Sequence, residues 1–155
     1  MSCVFCSLLL DDTPADWIAR EEHAAALLPL STSSLAPGHT LVIPTVHAPG
    51  VHEASASSLA ATMALVQKVS AAMQAALGAP GVNLLSASGP ESEQSVAHLH
   101  FHVVPRWRDD GFTTWPSQRS RKAVAESPVQ LLADAIRASD ARERQELPGW
   151  VDVVP

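Results

Sequence analysis

His98-Leu99-His100-Phe101-His102-Val103-Val104, with Pro105 directly after it, is the stretch that decides the fold of this chain. Successive side chains of a β-strand point to opposite faces. The spelling therefore predicts a strand with His98, His100 and His102 on one face and Leu99, Phe101 and Val103 packed behind them. Alternate strand residues repeat at about 6.6 Å, so three imidazoles in a row could engage one extended polar ligand such as a phosphate chain, or a metal ion at one end. A strand with a polar outer face that merely uses histidine is the plainer alternative, and the repetition speaks against it.

Outward from that strand, the 155 residues make one domain's worth of chain, long enough to bury a core. The formal charge of −6 argues against a nucleic-acid backbone or an anionic membrane as main partner, since both need a concentrated basic surface. A small phosphorylated ligand is compatible with it. Met1 to Leu10 has no basic leader and only a short apolar run, so neither a secretory signal nor a membrane span is expected there, and the expected compartment is the cytoplasm.

Along the chain, Asp16–Arg20 and His23–Leu28 read as two strands around the turn Glu21-Glu22, and Thr40–Ile43 as a third strand stopped by Pro44. Leu59, Met63, Val66, Val69, Met73 and Leu77 recur three or four apart, the inward face of a long helix ended by Gly78. Val82–Leu85 reads as a fourth strand ahead of the histidine strand. Arg106–Arg121 reads either as an ordered loop over a site or subunit, or as a plain connection anchored by Trp107 and Trp115. Ser127 and Gln130 spell a capping box with Pro128 at the first helical position, which predicts a helix carrying Val129, Leu132, Ala135 and Ile136 inward. The tail Leu147–Pro155 is apolar enough to dock.

The only two cysteines, Cys3 and Cys6, form a C-x-x-C pair. A disulfide is weakly supported in a reducing compartment, and a thioredoxin-like role wants a strand before the pair. Half of a tetrahedral zinc site fits better, and it requires two histidines from elsewhere.

The triad, Cys3-Val4-Phe5-Cys6, Ala36-Pro37-Gly38-His39-Thr40-Leu41-Val42-Ile43-Pro44, His47 and Gln94-Ser95-Val96, in this order, resemble the histidine-triad (HIT) family of nucleotide hydrolases and transferases. The resemblance implies a single HIT-like domain over residues 1–155. Its fold would be α+β, an antiparallel sheet of about five strands with a long helix packed on it and a C-terminal helix, usually as a homodimer. It also implies a covalent chemistry, in which a neutral imidazole attacks the α-phosphorus of a nucleotide. His100 matches the family nucleophile, while His102, Gln94 and Ser95 match positions that contact the phosphate or leaving group. Cys3, Cys6, His47 and His98 match a structural zinc site. His39 matches a family position serving packing or hydrogen bonding; His23 and His52 read as surface residues.

Three departures qualify the substrate. Ser31 stands where many members have an acidic residue on the ribose hydroxyls, Ala87 where many have an asparagine, and Glu93 where many have a glycine. The readings that follow are a nucleotidyl hydrolase or transferase acting on a phosphoramidate or other small nucleotide conjugate, a dinucleoside polyphosphate hydrolase or phosphorylase, and a nucleotide-binding module with weak catalysis.

Overall fold

The computed structural model describes residues 3–11, 13–111 and 113–146, so the predicted docking tail Leu147–Pro155 lies outside the described residues. The chain divides into two units, Met1–Thr114 and Trp115–Pro155. The first is α+β. It holds α1 (Val4–Leu9), β1 (Trp17–Arg20), β2 (Ala24–Leu27), β3 (Thr40–Pro44), α2 (Ala56–Leu77), β4 (Gly81–Leu85) and β5 (Phe101–Arg106), with a short 3-10 turn at Ser31–Ser33. The strands form one sheet in the order β1-β2-β3-β5-β4. Every pairing is antiparallel, and the β1–β2 hairpin carries a bulge between Trp17 and Ala19.

The sheet is covered on both faces. Ala24, Ala26, Val42 and Val103 pack with Leu65, Val66, Val69 and Met73 of α2, whereas Ala25, Leu27, Leu41 and Ile43 pack with Phe5 and Leu8 of α1. Double coverage explains why β2 and β3 are apolar without alternation. Each fully buried Leu, Ile or Val contributes about 1.5–3 kcal/mol, so this two-sided packing is what fixes the strands that carry the site.

Helix α2 starts where Ser55 accepts a hydrogen bond from the Ser58 N–H and ends at Gly78, whose φ of 62° is the left-handed cap position. Its buried face is Thr62, Leu65, Val66, Val69 and Met73. The expected stripe is displaced: Met63 and Leu77 are exposed, and Leu65 takes the inward position between them. Gly38 sits at φ 84°, so the turn before β3 needs its backbone freedom.

The histidine stretch is only partly a strand. β5 begins at Phe101, so His98 and His100 precede it; the three rings still follow one another on the α1 side, with Phe5 edge-on to His98 and His100 and His100 5.1 Å from His102, while Phe101 and Val103 pack on the α2 side. The facing strand β3 ends in Pro44, which has no N–H for a ladder, and the Pro44 carbonyl accepts from His98 Nε2 at 3.0 Å. The Leu99 N–H instead donates to Ala48 O at 2.7 Å, and the His100 carbonyl accepts from the Ser86 hydroxyl. His98 and His100 are buried at 0% and 3% exposure, so the imidazoles are structural as well as chemical groups.

Beyond β5, Trp107 packs against the α2-side core and donates from Nε1 to Leu77 O, while Trp115 is exposed. In the second unit, α3 runs Pro128–Glu146. Ser127 accepts the first helical bond from the Leu131 N–H, but the Gln130 amide donates to Asp134 rather than completing a capping box. Val129, Leu132, Ala135 and Ile136 are exposed, contrary to the expected inward stripe, because α3 is the only regular element described in its unit and no second layer there covers it. Among the described residues no helix is long and apolar enough to cross a membrane.

Candidate functional site

Two adjoining constellations share His98. Cys3, Cys6, His47 and His98 each offer one ligand atom, all within 4.8 Å of one another. His98 Nδ1 lies 3.4 Å from Cys3 Sγ, 3.7 Å from Cys6 Sγ and 3.3 Å from His47 Nδ1, and Cys6 Sγ lies 3.4 Å from His47 Nδ1. A tetrahedral cation bonded at about 2.3 Å to sulfur and about 2.05 Å to nitrogen sets its ligands about 3.3 Å apart between nitrogens and about 3.6 Å apart between nitrogen and sulfur. The four side chains are thus positioned to bind a metal ion. His98 is also in the correct tautomer, since its Nε2–H is committed to Pro44 O and the lone pair of Nδ1 faces the cluster. Burial lowers the His98 pKa and keeps that lone pair available; burial and then neighbouring Cys3 raise the Cys6 thiol, which a bound cation would reverse by holding thiolates.

The second constellation lines a cavity of about 710 Å³, within the range of small-molecule sites. Its walls are largely apolar, from Val4, Phe5 and Leu8 of α1 and Leu27 and Leu41 of the sheet; His100, His102 and Ser95 also line it. His100 Nδ1 donates to the His98 carbonyl at 2.7 Å, which can only accept, so in the neutral ring Nε2 carries the free lone pair. The Phe5 ring stands edge-on to both His98 and His100, with centroids 5.7 and 5.4 Å away.

His102 is set by a relay that sequence reasoning did not find. The Leu35 N–H donates to His39 Nδ1 at 3.1 Å, so a neutral His39 carries its proton on Nε2. That proton is donated to His102 Nδ1 at 2.9 Å, which leaves a neutral His102 with its own proton on Nε2. Burial lowers the His39 pKa; burial and then the charges of His100 and His39 bring His102 to about 4. Both rings are therefore neutral near pH 7, and His102 is held as a hydrogen-bond donor. The only sequence signal was His39 beside β3, with its partner 63 residues away.

Gln94 joins the loops at Pro49 and Gly89. Its Oε1 accepts from the Gly89 N–H and its Nε2 donates to Pro49 O at 2.6 Å. Ser31 lines the cavity as expected, and Asp16, Thr13 and Ser33 line it too. Ala87 is not among the cavity residues, and His23 and His52 are exposed.

Comparison with known proteins follows the same lines. The HIT domain family matches residues 11–109. The adenosine 5′-monophosphoramidase hnt1 of Schizosaccharomyces pombe is 35% identical over 132 residues, covering 81% of this chain and 95% of that protein. The adenylylsulfatase HINT3 of Arabidopsis thaliana is 33% identical over 135 residues, covering 87% of this chain and 68% of that one. Among solved structures, a Zn-bound histidine triad family protein from Mycobacterium smegmatis superposes with a TM-score of 0.69 at 31% identity, covering 92% of this chain and 98% of its own.

Proposed function

The chain belongs to the HIT domain family, and on that footing we propose that it is a nucleotidyl hydrolase or transferase using a covalent histidine intermediate. It cleaves a phosphoramidate or phosphoanhydride bond at the α-phosphate of a small nucleotide conjugate. The observation that carries this reading is the hydrogen bond from His100 Nδ1 to the His98 carbonyl, which puts the lone pair of the neutral ring on Nε2 in a ring lining the cavity. Nε2 forms a bond to the α-phosphorus as the bond to the leaving group breaks, and the leaving group takes that electron pair. The ring becomes cationic, and the His98 carbonyl opposite Nδ1–H steadies the charge. His102 Nε2–H and the Ser95 hydroxyl donate to phosphoryl oxygens, where negative charge develops. Water or a second acceptor then attacks phosphorus and releases His100. The relatives' names, a monophosphoramidase and an adenylylsulfatase, support nucleotides as the substrate class.

In this reading the apolar walls take the base, and Asp16, beside Ser31 and Ser33, supplies the carboxylate for sugar hydroxyls that Ser31 lacks. The metal is zinc, because two sulfurs and two imidazoles are its preferred tetrahedral set. Four protein ligands leave no open position, so its role is structural. The working form is a homodimer, as the family resemblance implies.

The direct test is intact-protein mass spectrometry after incubation with nucleoside phosphoramidates and dinucleoside polyphosphates. A nucleotidyl mass gain on the wild type that His100→Ala lacks is expected, and product release with no such dependence would overturn the mechanism. His39 acts as a positioning residue. His39→Phe is expected to lower kcat about 10- to 100-fold with less change in KM, and to move the His102 proton in ¹⁵N imidazole spectra. An unchanged His102 tautomer would remove the relay.

A further inference from the structure

Helix α1 is six residues long, too short to persist by itself, and its N-cap residue Cys3 makes no side-chain capping bond. Locally it has only backbone bonds, such as Ser7 N–H to Cys3 O and Leu10 N–H to Cys6 O, both 3.1 Å. Its other ties are tertiary: Cys3 and Cys6 reach His98 and His47, Phe5 and Leu8 enter the core, and Arg20 Nη2 donates to Leu9 O at 2.8 Å. Phe5 and Leu8 are also cavity wall, and the Phe5 ring touches both the ligand imidazole of His98 and the His100 ring. One short helix therefore carries half of the metal's ligands on one side and part of the ligand cavity on the other.

We propose that metal loading assembles the ligand cavity through α1. With the two cysteines tied to His47 and His98, α1 is held helical and Phe5 closes the wall beside His100. Without the tie α1 opens, the wall is lost and nucleotide affinity falls. Phe5 is then a ligand-positioning residue although it bears no reactive group. Thermodynamic reciprocity adds that bound nucleotide must slow or weaken loss of the metal to the same degree that metal strengthens nucleotide binding. The nucleotide part rests on the function proposed above; the coupling of metal to α1 does not.

The test compares metal-loaded protein with chelator-stripped protein by amide hydrogen exchange and by AMP titration. Stripping is expected to speed exchange across residues 4–9 at least 100-fold and to weaken AMP at least tenfold. Phe5→Ala, which retains all four ligands, is expected to keep its metal and reproduce the affinity loss, raising KM more than it lowers kcat. That variant keeps the idea falsifiable if the stripped chain unfolds. Protected amides in α1 after stripping, or a melted α1 with unchanged AMP affinity, would overturn it. If loaded wild type binds no AMP, the nucleotide reading fails, while exchange in residues 4–9 still decides whether the metal holds the helix.

Discussion

His100→Ala is expected to lower turnover of a nucleoside phosphoramidate by about 10⁴-fold or more, because removing a covalent nucleophile deletes the step rather than weakening it. The fold should survive. The ring is buried, but its bonds are few: Nδ1–H to the His98 carbonyl and the edge contacts with Phe5 and His102. Its loss costs on the order of 1–3 kcal/mol of stability, chiefly through the carbonyl left without its donor. Steady-state kinetics alongside thermal unfolding separates the two effects. A variant that is folded and within tenfold of wild-type kcat would mean that another group attacks phosphorus. The neighbouring His102→Ala should cost less, since that ring donates a hydrogen bond to developing charge and forms no bond to phosphorus.

What could be read from the chain follows from the range of each signal. Strands β1 to β4 and helix α2 are local patterns, a hairpin turn, a β-branched run and a 3.6-residue recurrence, and the structure has all of them. Helix α1 carries no such pattern: six residues hold under two turns, and its helicity depends on tertiary ties, Phe5 and Leu8 on the sheet face opposite α2 and Cys3 and Cys6 beside His47 and His98. The histidines do face α1 while Phe101 and Val103 face α2, but the strand is shorter than the spelling predicts. Period-two spelling presumes a ladder, and the β3–β5 ladder ends at Val42 and Phe101, short of Pro44, so the Leu99 N–H bonds Ala48 O instead. Of the four residues positioned to bind a metal, Cys3 and Cys6 are legible as half a site from their C-x-x-C spacing, whereas His47 and His98 enter only through the family resemblance, since Cys6 and His47 are 41 positions apart and no spacing rule joins them. The His39–His102 relay was not legible because tautomers are fixed by hydrogen bonds that cross from β3 to β5. Gln94 matches a phosphate contact by its place in the motif, and its amide also joins two loops, through Oε1 and one of its two Nε2 hydrogens.

The other large effect belongs to the metal centre. A Cys3→Ser, Cys6→Ser double variant is expected to purify without metal and to lose about 3–5 kcal/mol of stability, with Tm lower by about 10–15 °C. That is well below the roughly 10–16 kcal/mol of a structural zinc site in a domain that folds only around its metal, because the α2-side core of this sheet uses no residue of the cluster or of α1. The pH dependence has a fixed sign. Thiolates and neutral imidazoles bind a cation, so falling pH sets protons against metal and releases it. The imidazoles push in the same direction. His98 and His102 have folded pKa values below the ordinary 6.5, so they contribute stability that is full above about pH 6.5; for His102 it is gone below about 4. Between those limits the unfolded chain takes up protons that the folded one refuses. Melting curves from pH 7.5 down to 4.5 should therefore fall steeply for wild type, with metal appearing in the dialysate. The double variant should show the shallower slope of the histidines alone. Equal slopes in the two proteins, or a wild-type Tm at pH 7.5 that a chelator does not move, would show that the cluster contributes no metal-linked stability.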